Sequence, residues 1–523
     1  MGEPVPVQSK WDLAEAAGPV GQKNAPLGTS EPRPCGPSSG LADSQHQAIS
    51  CPKPPRYVSV VDDRLSPLDA SFLHVEDSVS HMHIGSVGIF EGPAPRYEEF
   101  IAAVSGKLPG VPRYRQVVRR VPGDLGRPLW VDDPHFNIEY HVRHTALPSP
   151  GGEEELRRLV GRIMSQQLDR AKPLWEIWMV DELEGGRWAL ASKVHHCMVD
   201  GVAGTELLSQ IMDVTPEFRR IDPAEWAPRP TPSSLSLVTQ ALWDIAMSPI
   251  RPAQSLREAL RVPSEAVGQL AEVARGLSSM LGVMRPTPST SLNGPIGPHR
   301  RWGWATATVD DVKEVRARHG GTFNDVVLAC ITTGFRELLI SRGESADRIV
   351  RTMVPVSIRP RDTGGIAVGD GELSNRISVM FADLPVSEAD PVTRLHDITI
   401  QMNGLKDSHE AVAGEALTSI GGFAPPNLLA LGVRYASKGS QRNINTVTTN
   451  VPGPQLPLYV LGRRMLQAFP FVPLGVQMRI TVAIFSYDGQ VNFGVTGDYD
   501  TASDLGVLCR AIEKGLADLL AAA

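Results

Sequence analysis

The chain is poor in cysteine, in aromatic residues and in long apolar runs. Five of its 523 residues are Cys, and 6 % are Phe, Trp or Tyr. The spacing of Cys35, Cys51, Cys197, Cys330 and Cys509 matches neither a zinc site nor a disulfide framework. Reduced thiols and a cytosolic compartment are therefore expected. No uninterrupted apolar run approaches the roughly 20 residues of a membrane-spanning helix, and no basic-then-apolar leader is present. The expected protein is soluble or peripheral to a membrane. Met1-Gly2 could begin a myristoylation motif, but Pro6 stands where Ser or Thr is required. Basic charge is not in excess: 51 Lys and Arg face 58 Asp and Glu, for a net charge of −7, which leaves no footprint for nucleic acid. Gly364-Gly365 and Gly369-x-Gly371 lack the strand-to-helix setting of a phosphate loop. No metal, nucleotide or prosthetic-group motif is evident, so no cofactor is expected.

What is present is a globular composition, 42 % hydrophobic and long enough for two or three domains. Residues 1–56 differ from the rest: they hold 10 Pro, 6 Gly and 6 Ser, with five acidic and five basic residues. Such a segment cannot bury enough apolar surface to offset its ordering entropy, and a disordered tail over 1–57 is predicted.

The most informative stretch is Val-His-His-Cys-Met-Val-Asp-Gly-Val-Ala-Gly, residues 194–204. Trp188–Val194 has strand composition, and Leu207, Leu208, Ile211 and Met212 fall at helical spacing. The histidines therefore end a strand, and Asp200 is placed to cap the following helix. Adjacent strand residues point to opposite faces, so only one of His195 and His196 can face a substrate. The ordinary role of a histidine is structural packing, and the pair alone decides little. Cys197 diverges from His196 on an extended backbone, which makes a Cys/His nucleophile geometrically poor.

Along the chain, His81–Phe90 reads as a strand ended by Gly92-Pro93. His81 and His83 share a face of it, yet no third metal ligand is evident. Tyr97–Leu108 reads as a helix, Pro112–Val118 either as a solvated basic stretch or as the source of an arginine, Arg113 or Arg115, that reaches Asp200, and Arg127–Asp133 and Ile138–Arg143 as short strands. A charged helix follows from Gly152, then strand Trp175–Leu183, with Gly185-Gly186 turning into the histidine strand. Pro-rich 227–233 opens a crossover with two helices, one striped by Leu235, Val238, Leu242 and Ile245, the other by Val267, Leu270, Val273, Leu277 and Leu281. Beyond Arg301, Thr308 caps one helix and Val326–Leu339 forms another. Val350–Ser357, Arg376–Phe381 and a segment ending at Thr446–Pro454 are strand candidates. Met478–Tyr487 and Val491–Asp498 pair across Asp488-Gly489. A last helix carries Leu505, Leu508, Ile512, Leu516 and Leu519.

The pattern His-His-x-x-x-Asp-Gly resembles the signature of the acyltransferase superfamily that includes chloramphenicol acetyltransferase and peptide-synthetase condensation domains. Arg64–Leu73, Pro173-Leu-Trp-Glu176, Leu292–Trp302, Asn324-Asp-Val-Val-Leu-Ala329, Pro355-Val-Ser-Ile-Arg359 and Asn450-Val-Pro-Gly-Pro454 look like motifs of the bacterial wax ester synthase/acyl-CoA:diacylglycerol acyltransferases. The resemblance runs from about Val58 to the C-terminus. It implies an α/β fold of two chloramphenicol-acetyltransferase-like lobes with mixed sheets and an active-site tunnel between them. The expected divisions are 58–225 for the first lobe, 226–300 for the helical crossover and 301–523 for the second lobe.

Transfer of an acyl group from a thioester to an alcohol needs chiefly a base, because the thiolate already leaves well. A neutral imidazole supplies it near pH 7. The resemblance assigns His196 as general base, His195 as its support, Asp200 to orientation of the loop through a distant arginine (Arg113 or Arg115), Gly201 to an open channel, and Asn324 to substrate binding. Asn375 is a weaker candidate. The implied substrates are a long-chain acyl-CoA with diacylglycerol or a long-chain alcohol, at a peripheral membrane or lipid-droplet surface in the cytoplasm. Two other readings share these residues: a same-fold acyltransferase for a carrier-bound or polyketide alcohol, and a silent lipid-binding relative.

Overall fold

A computed structural model describes residues 63–198, 211–218, 221, 226–247, 290–357, 377–407 and 444–522. The tail over 1–57, Asp200, Gly201, Asn375, the second crossover helix and most of the helix after the histidines lie outside these residues.

The order begins α1 (Pro67–Val75), β1 (His83–Phe90), α2 (Tyr97–Lys107), β2 (Gln116–Arg119), β3 (Leu129–Asp132), α3 (Ile138–His141), β4 (Val142–Ala146), α4 (Glu153–Ser165), β5 (Trp175–Leu183) and β6 (Arg187–His195). It continues with α5 (Ser234–Met247), β7 (Arg300–Thr308), α6 (Val309–His319), α7 (Phe323–Ser341), β8 (Val350–Ser357), β9 (Ile377–Leu384), α8 (Pro391–Asp407) and β10 (Thr446–Pro452). β11 (Tyr459–Val460), β12 (Arg463–Phe471), β13 (Ile480–Tyr487), β14 (Gln490–Asp498) and α9 (Leu505–Ala521) complete it.

Two mixed six-stranded sheets result, one ordered β11-β12-β1-β6-β5-β4 and the other β7-β14-β13-β10-β8-β9. Local chemistry explains much of this. Ser66 accepts from the Asp69 amide to start α1, Thr308 from Asp311 to start α6, and Thr322 from Asp325 to start α7. Asp488 and Gly489 both have positive φ, 45° and 78°, which turns β13 tightly into β14. The helices α6 to α9 bury Val326, Phe335, Leu338, Leu508 and Ile512 against the second sheet. On the first sheet, α4 packs Leu156, Val160 and Ile163 against Val87 and Ala191, and the same cluster includes Trp302 and Trp304 of β7. This shared core joins the two lobes. No helix among the described residues is long and apolar enough to cross a membrane.

Several expectations are corrected. Ile138–His141 forms one helical turn rather than a strand, because the Asn137 side chain accepts from the Glu139 amide; β4 starts only at Val142. Of the two readings of Pro112–Val118, the solvated one fails over its middle: Tyr114, Arg115 and Gln116 are buried, and the Arg115 guanidinium lies 4.0 Å from the Trp226 ring centre. The crossover helix α5 does not bury its Leu235 and Leu242, which are 74 % and 51 % exposed. It packs through Leu237 and Ala241 onto Val121, Leu129 and Val131, the small alanine letting the helix approach closely. β12, unread in the sequence, leaves the second lobe's part of the chain to join the first sheet beside β1.

Candidate active site

The histidines sit where the sequence places them, at the end of a central strand. β6 pairs with β1 on one side and β5 on the other, with His83 opposite His195 and Trp175 opposite Val194. Main-chain bonds fix the exit from the strand: His195 N–H donates to Leu174 O at 2.9 Å and His196 N–H to Met82 O at 2.8 Å. The chain then leaves the sheet in a tight turn over His196–Met198. The two rings consequently enter different surroundings.

His195 is wholly buried. Its Nδ1 accepts the Cys197 amide at 3.1 Å, which leaves Nε2 to carry the proton and donate to Glu76 Oε2 at 3.3 Å. Glu76 caps the C-terminal end of α1 and is itself buried. Arg170 Nε donates to its Oε2 at 2.9 Å, its Nη2 donates there too, and the Met82 amide approaches Oε1 at 3.4 Å. Burial alone would raise this carboxyl's pKa; the hydrogen bonds from His195 and Arg170, with the Arg170 charge, outweigh burial and hold it at about 2. His83 closes the cluster. Its Nε2 accepts the Leu168 amide at 3.3 Å, and burial keeps it well below the usual imidazole range, so it is neutral.

His196 is half-buried and stacked on Phe72, ring centres 3.9 Å apart and planes inclined by 22°. Its Nδ1 has no hydrogen-bond partner among the described residues. Burial pushes its pKa down to about 4, so the ring is an unprotonated acceptor at neutral pH. The Cys197 thiol is buried and pushed well above its usual range, which leaves it without thiolate character. Lys193 is also buried; its Nζ donates to Ile163 O at 3.0 Å and to Gln166 O, and burial lowers it to about 8.

Other sequence candidates lie apart from this cluster. Asn324, half-buried in the first turn of α7, accepts from Asn450 Nδ2 at 3.4 Å, and no described contact joins it to either histidine. Arg113 bonds Gln116 at 2.9 Å and lies 4.6 Å from the Trp130 ring centre. Whether it or Arg115 reaches Asp200 falls outside the described residues. His81 bonds Ser78 O, and among the described residues no group of three or more His, Cys, Asp or Glu could hold a metal ion.

Sequence reasoning missed Phe72, Glu76 and Arg170. Phe72 and Glu76 stand four residues apart at the end of α1, and so reach the two histidines from one side. Their partners are 124 and 119 positions away in the chain, a separation that no local periodicity reports.

The arrangement offers a neutral imidazole stacked on Phe72, next to a second imidazole held by a buried carboxylate. Comparison with known proteins identifies the family. Residues 65–327 match the wax ester synthase/diacylglycerol acyltransferase catalytic domain, and residues 373–520 match the WS/DGAT C-terminal domain. A probable diacylglycerol O-acyltransferase of Mycobacterium tuberculosis strain H37Rv is 37 % identical over 463 residues, covering 88 % of this chain and 96 % of the relative. The solved wax ester synthase/diacylglycerol acyltransferase of Marinobacter aquaeolei VT8 superposes with a TM-score of 0.60 at 25 % identity, covering 87 % of this chain and 98 % of that one. The first condensation domain of the calcium-dependent antibiotic synthetase shares the fold, with a TM-score of 0.53 at 15 % identity over 88 % of this chain and 96 % of its own. The chain belongs to the wax ester synthase/diacylglycerol acyltransferase family and is an acyl-CoA-dependent O-acyltransferase.

Proposed function

We propose that the protein moves a long-chain acyl group from acyl-CoA to diacylglycerol, giving triacylglycerol, and also accepts long-chain alcohols, giving wax esters. The observation that supports this reading is the His196 imidazole, neutral at physiological pH and stacked on Phe72, with a buried Nδ1 that has no hydrogen-bond partner among the described residues. His196 takes the proton of the acceptor hydroxyl as that oxygen attacks the thioester carbonyl. The tetrahedral oxyanion collapses, the carbon–sulfur bond breaks, and the protonated His196 returns its proton to the departing CoA sulfur. No acyl-enzyme is needed. General-base assistance of this kind is worth roughly 10²- to 10⁴-fold.

His195 supports the base from the main-chain turn, with its ring fixed by the Cys197 amide and Glu76. Asp200 orients the loop, Gly201 keeps the acceptor channel open and Asn324 lines the substrate path; these three roles come from the family motif. The acceptor is insoluble in water, so the protein works at a membrane or lipid-droplet surface on the cytoplasmic side.

The test is CoA release from palmitoyl-CoA with dioleoylglycerol or hexadecanol, comparing wild type with His196→Ala. Acceptor-dependent turnover should fall by 10²-fold or more in the folded variant, and the preferred acceptor names the product. Turnover surviving in His196→Ala would remove the base assignment.

A further inference from the structure

A groove of about 960 Å³ between α4 on one side and β7 and α9 on the other takes no part in the chemistry above. Six arginines and three glutamates line it, so cations are in excess. Several of those cations are held by rings and carbonyls rather than by carboxylates. Arg157 lies 4.0 Å from the Trp304 ring centre, and its buried Nε has no partner among the described residues; its Nη2 reaches the exposed Glu153. Arg301 lies 4.2 Å from the Tyr499 ring centre, its Nε donating to Tyr499 O at 2.7 Å. Arg300 is buried, donates to the carbonyls of Gly297, His299 and Val79, and is lowered by burial to about 10. Arg162 and Arg510 are exposed, and neither makes an ion pair among the described residues.

A guanidinium pinned by a ring face or a carbonyl keeps its full charge for a ligand. Several such groups around one groove repel one another until an anion enters, and phosphate oxygens fit their fork of donors best. Tyr499, 46 % exposed, adds an aromatic surface beside Arg301. The volume is that of a nucleotide-sized site. A recessed groove with Glu153 and Glu154 on its rim suits a soluble ligand better than an anionic bilayer.

The groove also leads to the histidines. Ser165 and Gln166, just at the end of α4, line it. Gln166 lines a second cleft as well, of about 540 Å³, together with Leu168 and Arg170. Those two residues contact His83 and Glu76. One short loop thus has the groove on one side and the base's supports on the other.

We infer that this groove seats the 3′-phosphoadenosine diphosphate end of CoA, so that Arg157, Arg162, Arg301 and Arg510 set donor affinity. The inference rests on the acyl-CoA reading of the site. The full-length protein would be titrated calorimetrically with CoA and with adenosine 3′,5′-bisphosphate, at low and high salt. Wild type, His196→Ala, Arg162→Glu/Arg510→Glu and the milder Arg162→Gln/Arg510→Gln would be compared, with circular dichroism confirming that each is folded. Wild type and His196→Ala should bind both ligands equally and lose affinity with salt. The charge-reversed pair should bind at least tenfold more weakly, with the glutamine pair intermediate. KM for palmitoyl-CoA should rise in parallel, while kcat at saturation and KM for dioleoylglycerol hold. Unchanged CoA affinity and unchanged KM in both arginine variants would overturn the assignment. So would loss of binding to dioleoylphosphatidate vesicles with CoA binding intact, which would make the groove a lipid-headgroup site. Absence of turnover in wild type would count against the acyltransferase reading and leave the CoA titration to decide the groove.

Discussion

At the residue scale, the imidazole proposed as the base is defined by what its neighbours do to it. Glu76 touches His195 directly and reaches His196 through Met82, whose amide approaches the carboxylate and whose carbonyl holds the His196 amide. It is a positioning residue. Glu76→Gln keeps the shape and removes the charge; kcat should fall roughly 10- to 100-fold with KM for both substrates unchanged, as expected when a supporting contact rather than a binding contact is lost. Glu76→Ala should instead lower stability by about 1–3 kcal/mol, because the buried His195 Nε2 is left without its acceptor, while Arg170, a third exposed and still bonded to Leu73 O, is solvated. The pH dependence follows from the same groups. Glu76 titrates at about 2 when folded against an ordinary 4.5, so its contribution to stability is present above pH 4.5 and is lost as pH falls from there towards 2. His196 at about 4 lies below the ordinary 6.5, so the unfolded chain takes up that proton first and the site loses stability as pH falls from 6.5 towards 4. The acid limb of kcat/KM should therefore fall well below pH 6.5, nearer 4 to 5. A limb at 6.5 would mean that the base is not the His196 ring.

At the element scale, legibility depended on whether the deciding interaction was local. The Asp488-Gly489 hairpin, the Thr308 cap and the apolar stripe of α9 were readable because the residues concerned lie within a turn or two of one another. The stripe of α5 was misread because helical spacing offers several apolar faces. The hydrophobic core chose the face with Ala241, which allows close packing, over the one with the larger Leu242. Glu76 was invisible for the same kind of reason, since its partners are set by the sheet pairing of β1 with β6. Two glycines separate backbone from packing effects. A Cβ at Gly489 would meet nothing within 4 Å, so Gly489→Ala should destabilise only through its positive φ, by about 1 kcal/mol. A Cβ at Gly515 would stand 2.7 Å from Thr333 Oγ1 and 3.2 Å from Cys330 Cα, where α9 crosses α7. Gly515→Ala gains helix propensity yet should lose about 1–3 kcal/mol through overpacking. Its thermal midpoint should drop below that of Gly489→Ala; the reverse order would show that the two helices separate easily.

At the scale of the whole molecule, the order of the chain and the order of the sheets disagree. β12 comes from residues 463–471, late in the chain, but pairs with β1 from Gly85 to Phe90 and lies between β1 and β11 in the first sheet. Its Phe469 and Phe471 fill the core shared by α4 and the β7 tryptophans, and a Cβ at Gly494 of β14 would clash with Pro470 O at 1.8 Å. The sheet that carries the histidines is therefore incomplete without the last third of the chain. A fragment ending near residue 300 would leave β1, with Val87, Ile89 and Phe90, as a bare apolar edge, which is a template for aggregation. Expressed alone, that fragment should be insoluble or lack a cooperative melt. Co-expressed with residues 301–523, it should return to the soluble fraction as a complex with acceptor-dependent CoA release, because β12 can then pair in its place. A soluble, cooperatively melting N-terminal fragment would show instead that β12 only lies alongside a sheet already stable without it, and the core it shares with α4 would then matter to lobe alignment rather than to folding.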